Sequence, residues 1–132
     1  MKNTILHFLE RSTWIAAQEI GEYKPESLDE EGYIHCSTLE QVTASADKWA
    51  EKDADLLLLV INEKKVSPDI KYEKIKGSKS KEEYPHIYGR LNLDAVKKVH
   101  YFKKDEKGKY KLPKALEPEE PREYKAEESK EK

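Results

Sequence analysis

Apolar and polar residues follow two different periods along this chain, and each change of period marks a predicted strand or helix. Residues 4–9 are short and mostly apolar, which predicts a first strand. A helix is expected next, because Ser12 can act as its N-cap, Trp14 and Gln18 follow at helical spacing, and Gly21 suits a C-terminal stop. The chain therefore opens with a strand followed by a helix.

The next segment predicts a loop, a short strand and a second helix. Residues 23–31 contain a proline and an acidic run, which is typical of a surface loop, and residues 32–36 predict a short strand. Thr38 and Gln41 have the spacing of a capping box at the start of a helix. The apolar face of that helix should contain Val42, Ala46 and Trp49.

The second half of the chain predicts mainly strands. Residues 56–61 (LLLLVI) are continuously apolar, which indicates a strand in the middle of a sheet, covered on both faces. Residues 70–75 alternate and predict a half-exposed strand, residues 76–83 a charged loop, and residues 96–102 and 110–112 two later strands. We therefore predict an α+β fold: a small mixed or antiparallel sheet of five to seven strands with two main helices.

Charge divides the chain into two unequal parts. Of its 132 residues, 39% are charged, yet the net charge is only −2. Residues 114–132 contain twelve charged residues and few apolar ones, so we expect a disordered tail. Residues 1–113, with 20 basic and 20 acidic side chains, should form a single domain.

Composition also excludes several classes of protein. The balanced charge argues against bulk binding of nucleic acid. The mean hydropathy is −0.97 and no long apolar run occurs, so no membrane span or secretory signal is expected. The single cysteine, Cys36, cannot form an internal disulfide and is expected to be buried and structural. A cytoplasmic, monomeric protein is the expectation.

Three histidines are the main candidates for chemistry: His7, His35 and His86. His7 should share the inward face of the first strand with Ile5 and Leu9. Each histidine can be explained as a hydrogen-bonded core residue, but three of them in separate strands also predict a shared pocket. Their spacings of 28 and 51 residues lack the close ligand pair typical of zinc sites, so no metal is predicted.

Aromatic side chains surround the last of these histidines. In an extended segment, Tyr84, His86 and Tyr88 would share one face and offer stacking surface with polar tips. This composition suits a flat heterocycle or a sugar. An ordinary turn packed on the core explains it equally well.

Four motifs carry a resemblance to a known family. They are ILHF at residues 5–8, GEYKPESL at 21–28, EGYIHCST at 31–38 and PHIYGRLNLDAV at 85–96. Over about residues 4–113 the chain resembles the bacterial family called domain of unknown function 952. The fold of that family is thought to resemble the ADP-ribosyltransferase group, whose members use NAD.

The resemblance implies NAD as a cofactor and assigns roles to particular residues. His7 would bind a ribose, Tyr33 and His35 would border the nicotinamide, and His86 with Tyr88 would position a nucleophile or a phosphate. Arg90 is added as a phosphate ligand, because its guanidinium suits bidentate phosphate contacts. The implied catalytic residues are thus His35 and His86. The cofactor-binding residues would be His7, Tyr33, Tyr88 and Arg90.

Three functions follow as alternatives. One is an NAD-dependent ADP-ribosyl or phospho-transferase-like enzyme, or a hydrolase, and the second is a non-catalytic module that binds a nucleotide or another small molecule. The third is a protein interaction domain. The HIYG motif lacks the glutamate used by many ADP-ribosyltransferases, which argues against protein ADP-ribosylation.

Overall fold

The structure is a computed structural model that describes residues 3–117. These residues contain eight strands in three antiparallel sheets, together with three α-helices. The strands are β1 (Thr4–Glu10), β2 (Glu22–Tyr23), β3 (Ile34–His35), β4 (Leu56–Asn62), β5 (Asp69–Lys74), β6 (Glu83–Tyr88), β7 (Leu91–Asn92) and β8 (Val96–Phe102). The α-helices are α1 (Arg11–Ile20), α2 (Glu26–Glu30) and α3 (Val42–Trp49). The α+β class with two main helices is confirmed. The count of five to seven strands was too low, because β2 and β7 have two residues each and show no alternation.

The central sheet has the order β1-β4-β8, and β4 is buried on both faces as predicted. Leu57, Leu59 and Ile61 pack into one core cluster, with α1 and the two smaller sheets. The alternate residues Leu56, Leu58 and Val60 pack into a second cluster on the opposite face, beneath α3. Continuous apolarity in β4 therefore reflects two cores that share one strand.

Only the C-terminal end of α1 lies where the sequence predicted it. Gly21 adopts a left-handed conformation (φ 99°), and its N–H donates to the Ala17 carbonyl at 2.8 Å, which confirms the predicted stop. The predicted N-cap was wrong. The helix begins at Arg11 and Glu10 holds the N-cap position without a side-chain hydrogen bond, so Ser12 lies inside the first turn.

The predicted loop at residues 23–31 was also wrong in part. Glu22 and Tyr23 pair with β7, and residues 26–30 form the short helix α2. Two acidic residues in its first turn, Glu26 and Asp29, favour a helix because they interact with the positive end of its dipole. The acidic run at residues 29–31 that predicted a loop therefore forms the end of a short helix and its C-cap.

Half of the predicted capping box forms before α3. The Gln41 Oε1 accepts a hydrogen bond from the Thr38 N–H at 3.0 Å, and the helix proper begins at Val42. Val42 and Ala46 are buried, whereas Trp49 is 47% exposed. The far end of α3 thus leaves an indole at the surface.

A third sheet, in the order β3-β6-β5, stands beside the central sheet. The predicted strand at residues 32–36 is reduced to Ile34–His35, and the chain then forms a bridge in which Leu6 and Ser37 exchange two main-chain hydrogen bonds of 2.8 Å. The predicted strand at 70–75 corresponds to β5, and the charged loop before β6 is present. The Leu6–Ser37 bridge brings β1 next to β3.

The C-terminal part differs from the prediction. The predicted strand at residues 110–112 is a single bridge between Lys104 and Tyr110. Residues 114–116 form a short 3₁₀ turn, and Leu116 packs into the second core cluster. The packed chain thus extends three residues past the expected boundary at residue 113. The rest of the predicted tail, residues 118–132, lies outside the described residues. No helix within residues 3–117 is both long and apolar enough to cross a bilayer.

Candidate functional site

A cavity of about 400 Å³ lies where β1, β3, β6 and α3 meet. It is lined by Leu6, His7, Phe8, Glu31, His35, Cys36, Ser37, Ser45, Trp49, Ile75, Tyr84 and His86. All three histidines singled out in the sequence therefore line one cavity. His100 lies elsewhere, on β8 opposite Leu58.

Strand pairing places His35 and His86 side by side. They are direct partners in the β3–β6 register, and their ring centroids are 5.5 Å apart with the rings at 75°. His7 comes from β1, which the Leu6–Ser37 bridge holds against the end of β3. Main-chain hydrogen bonds thus determine the positions of all three rings.

Both ring nitrogens of His7 are engaged by the chain. Nδ1 lies 2.6 Å from the His35 carbonyl oxygen, and Nε2 lies 2.8 Å from the Tyr23 hydroxyl. A carbonyl can only accept, so Nδ1 carries the proton and Nε2 accepts from Tyr23. Burial lowers the pKa of His7 to about 4, so the ring is neutral at pH 7. With both nitrogens engaged, His7 would have to exchange one of these bonds in order to bind a ribose.

His35 forms a close pair with a carboxylate at the cavity edge. Its Nε2 lies 2.6 Å from Glu31 Oε1, and both side chains are about half exposed. Glu31 follows directly after α2, four residues before His35. Among residues 3–117, His35 Nδ1 has no hydrogen-bond partner. The pair resembles the carboxylate–imidazole arrangement that orients a general base.

His86 is the most buried of the three, with 1% of its surface exposed. Its Nδ1 lies 2.9 Å from Glu73 Oε1 on β5, and the Tyr88 hydroxyl donates to the same oxygen. These two hydrogen bonds hold the pKa of Glu73 below its usual value, and the carboxylate in turn raises the pKa of Tyr88 to about 12. The other nitrogen, Nε2, is buried and has no partner among the described residues.

Tyr33 stacks on His86. The ring centroids are 4.0 Å apart and the planes differ by 15°. The same tyrosine meets His35 edge-on at 4.9 Å and Tyr88 at 5.4 Å. Tyr33 and Tyr88 therefore build the aromatic side of the histidine cluster, although neither is among the residues that line the cavity.

The opposite wall combines apolar rings with two hydroxyls. Ser37 and Ser45 are buried, and their oxygens are 3.3 Å apart. Trp49 and Tyr84 meet edge to face at 6.2 Å. Sequence reasoning assigned no site role to Ser45 or Trp49, because only the fold turns α3 toward β6.

Two glutamates of the site were also missed. Glu31 belongs to the EGYIHCST motif, so its spacing of four from His35 was a usable signal. Glu73 stands in an alternating strand with nothing to distinguish it from Glu63 or Glu83. The pairing of β5 with β6 brings it to His86.

Arg90, the predicted phosphate ligand, lies outside the histidine cluster. Its Nη1 lies 2.7 Å from Glu22 Oε2, and it lines a separate groove beside α1. The chain turns at Gly89 into β7, which carries Arg90 away from the cavity.

The cysteine and the acidic groups give no sign of metal binding in the described part of the chain. No three His, Cys, Asp or Glu side chains of residues 3–117 are arranged to hold an ion. Cys36 is a buried free thiol whose pKa is raised by burial. Such a thiol is a poor nucleophile.

Comparison with known proteins identifies the family to which this chain belongs. The model of the family described as protein of unknown function (DUF952) matches residues 8–99. This chain belongs to that family, which confirms the first part of the resemblance. A search of curated proteins finds no match.

Two solved structures of one bacterial protein are similar to this chain. The crystal structure of protein CC0527 from Caulobacter crescentus shares 28% identity at a TM-score of 0.73, covering 86% of this chain and 97% of that one. Its solution NMR structure shares 29% identity at a TM-score of 0.71, covering 83% and 93%. The likeness to ADP-ribosyltransferases stays a prediction.

Proposed function

We propose that this domain binds a small planar heteroaromatic group in the histidine cavity. The observation that carries the proposal is His86 Nε2, which is buried and lacks a partner among the described residues. Buried polar atoms in proteins are nearly always hydrogen-bonded, because an unpaired one costs about 1–3 kcal/mol. His86 lines the cavity, so a ligand that displaces the side chains covering Nε2 would supply the missing partner.

The size and walls of the cavity suit such a ligand. Its volume of about 400 Å³ is in the range of small-molecule pockets. Phe8, Trp49 and Tyr84 offer aromatic surface, and the Ser37 and Ser45 hydroxyls add polar contacts. The nicotinamide end of NAD is the first candidate ligand, because the predicted ADP-ribosyltransferase likeness implies it.

Catalysis is the second candidate, favoured by the 2.6 Å pair of His35 and Glu31. Glu31 would orient the imidazole, and His35 Nδ1 would accept a proton from an attacking water or hydroxyl. With NAD, the nicotinamide–ribose bond would break and the nucleophile would bond to the ribose carbon. His86 would hold the leaving nicotinamide.

A binding titration tests the first candidate. NAD and nicotinamide are added to ¹⁵N-labelled protein, and the indole N–H signals of Trp49 and Trp14 are followed. Trp49 lines the cavity whereas Trp14 is buried in the first core cluster, so only the Trp49 signal should shift. No shift at millimolar concentrations of either compound would refute the proposal.

Two variants link the binding to His86. Asparagine at this position can still donate to Glu73 but has no counterpart of Nε2, so His86→Asn should weaken binding about tenfold. Arg11→Gln is the control, since Arg11 pairs with Asp55 and does not line the cavity, and it should bind as the parent protein does. Chromatography that detects released nicotinamide tests for catalysis. Release that is abolished in His35→Gln would show that the domain is an enzyme, whereas binding without release would show that it is a binding domain.

A further inference from the structure

The cavity also indicates which kind of group it accepts. Building on the proposed function, we infer that the group that enters is uncharged and donates an N–H to His86 Nε2. A primary carboxamide on a flat ring has this character, whereas a carboxylate or a phosphate does not. Three features of the described residues carry the inference.

The first feature is the direction of the hydrogen bonds around His86. An ionised carboxylate can only accept, so Glu73 receives the proton of His86 Nδ1 as well as that of Tyr88. A ring carrying one proton therefore has its lone pair at Nε2. That atom needs a donor from the ligand.

The second feature is the charge of the lining. Among the described residues that line the cavity there is one carboxylate, Glu31, and neither a lysine nor an arginine. Lys71, on the neighbouring strand β5, lies 4.9 Å over the ring of Tyr88 rather than in the cavity. An anionic group would enter without a counter-charge, next to Glu31, and burial without a partner is costly.

The third feature is the stacking of Tyr33 on His86, which holds the imidazole plane. Because the ring is also held by Glu73 at Nδ1, it cannot turn to present that nitrogen to a ligand. The position of Nε2 is thus fixed, and a ligand reaches it once the side chains that cover it move aside. In a nucleotide ligand, the phosphates would have to lie outside the cavity.

Three ligands of nearly equal shape test this inference on the unmodified protein. Nicotinamide carries an amide N–H₂, 3-acetylpyridine replaces that group with a methyl, and nicotinate carries a negative charge. Dissociation constants come from the Trp49 indole signal. Nicotinamide should bind about tenfold more tightly than 3-acetylpyridine, since the ketone leaves Nε2 unpaired. Nicotinate should be the weakest.

The outcomes separate the inference from the proposed function. If none of the three ligands binds, the proposed function fails. If all three bind equally, or if 3-acetylpyridine matches nicotinamide, the cavity binds flat rings but the required N–H is refuted. Nicotinate binding as tightly as nicotinamide would show that the cavity accepts an anion and would also overturn the inference.

A pair of neighbouring glutamates provides a matched test of the charge argument. Glu31→Gln removes the carboxylate from the cavity edge, so nicotinate should gain affinity relative to nicotinamide by about threefold. Glu30→Gln changes the net charge equally at an exposed position outside the lining and should leave that ratio unchanged. An unchanged ratio in both variants would refute the role of Glu31.

Discussion

His7 joins parts of the chain that are 16 and 28 residues away, through Tyr23 and the His35 carbonyl. Sequence alternation correctly placed His7 on the inward face of β1. It could not show that both ring nitrogens form hydrogen bonds within the fold, because other parts of the chain bring both partners to the ring. At the scale of single residues, a histidine whose two ring nitrogens are both hydrogen-bonded within the protein stabilises the structure. A histidine with one unpaired ring nitrogen can instead bind a ligand.

The first prediction concerns pH and His7. Its pKa is about 4 in the folded protein and 6.5 for an ordinary histidine, so the unfolded chain binds the proton more readily. The contribution of His7 is complete above pH 6.5 and is lost as pH falls toward 4, by up to about 3 kcal/mol. Urea unfolding at several pH values measures this loss.

The control for this prediction is another strand histidine. His7→Asn should flatten the decline in unfolding free energy between pH 6.5 and 4, whereas His100→Asn should keep it. An equal slope in both variants would mean that His7 does not carry the effect.

The second prediction concerns the carboxylate shared by His86 and Tyr88. The Tyr88 hydroxyl donates a hydrogen bond to Glu73. Ionisation would lose that bond and place a phenolate beside the carboxylate, so the pKa of Tyr88 is raised to about 12. In Glu73→Gln that pKa should fall toward 10, and ¹³C-labelled tyrosine spectra would follow the titration. Glu83→Gln, on the exposed end of β6, should leave the pKa of Tyr88 near 12.

At the scale of elements, the sequence predicted the helices and strands that have a clear hydrophobic period. It missed the strands that form only because a partner strand pairs with them. β4 and α3 were predicted because six apolar residues in a row and helical spacing are local patterns. The two-residue strands β2 and β7 are too short to show a period, and they exist because they pair with each other. The site depends on such pairs, so its histidines could be suggested from sequence but Glu73 could not.

The third prediction concerns the turn after β6. A Cβ on Gly89 would lie 2.8 Å from Pro68 Cβ, closer than packed carbons approach. Gly89→Ala should therefore lower the unfolding free energy by about 1–3 kcal/mol and loosen β5 against β6. Urea denaturation checks the loss.

A double variant tests whether Pro68 is the cause. Pro68→Gly removes the facing atoms, so adding it to Gly89→Ala should cost less than the sum of the two single changes. Strict additivity would assign the effect of Gly89→Ala to its backbone conformation instead.

At the scale of the whole molecule, one sheet separates two cores, and the second core is completed late in the chain. Leu116 packs with Phe102 and Tyr110 against the α3 side of β4. A run of charged residues predicted that everything after residue 113 is tail. A single leucine within that run is too weak a signal to show that the chain returns to the core.

The fourth prediction follows from Leu116. Ending the chain after Pro113 should lower the unfolding free energy by about 2 kcal/mol, since a buried leucine is lost. A chain that ends after Glu117 keeps Leu116 and should be more stable than the shorter chain by that amount. Leu116→Ala in the full chain should reproduce most of the loss, and equal stability of the two truncated proteins would contradict this role.

The bridge between Leu6 and Ser37 has a consequence for how a ligand enters. Only two main-chain hydrogen bonds join β1 to the end of β3 there, whereas β1 and β4 pair along seven residues. Separation of the two sheets at this seam should thus be far more frequent than global unfolding. Amide hydrogens of Leu6 and Ser37 should exchange with deuterium sooner than those of Leu58 and Leu59, and a bound ligand should slow them. The bridge, which forms part of the cavity wall, would then also be the place where a ligand enters.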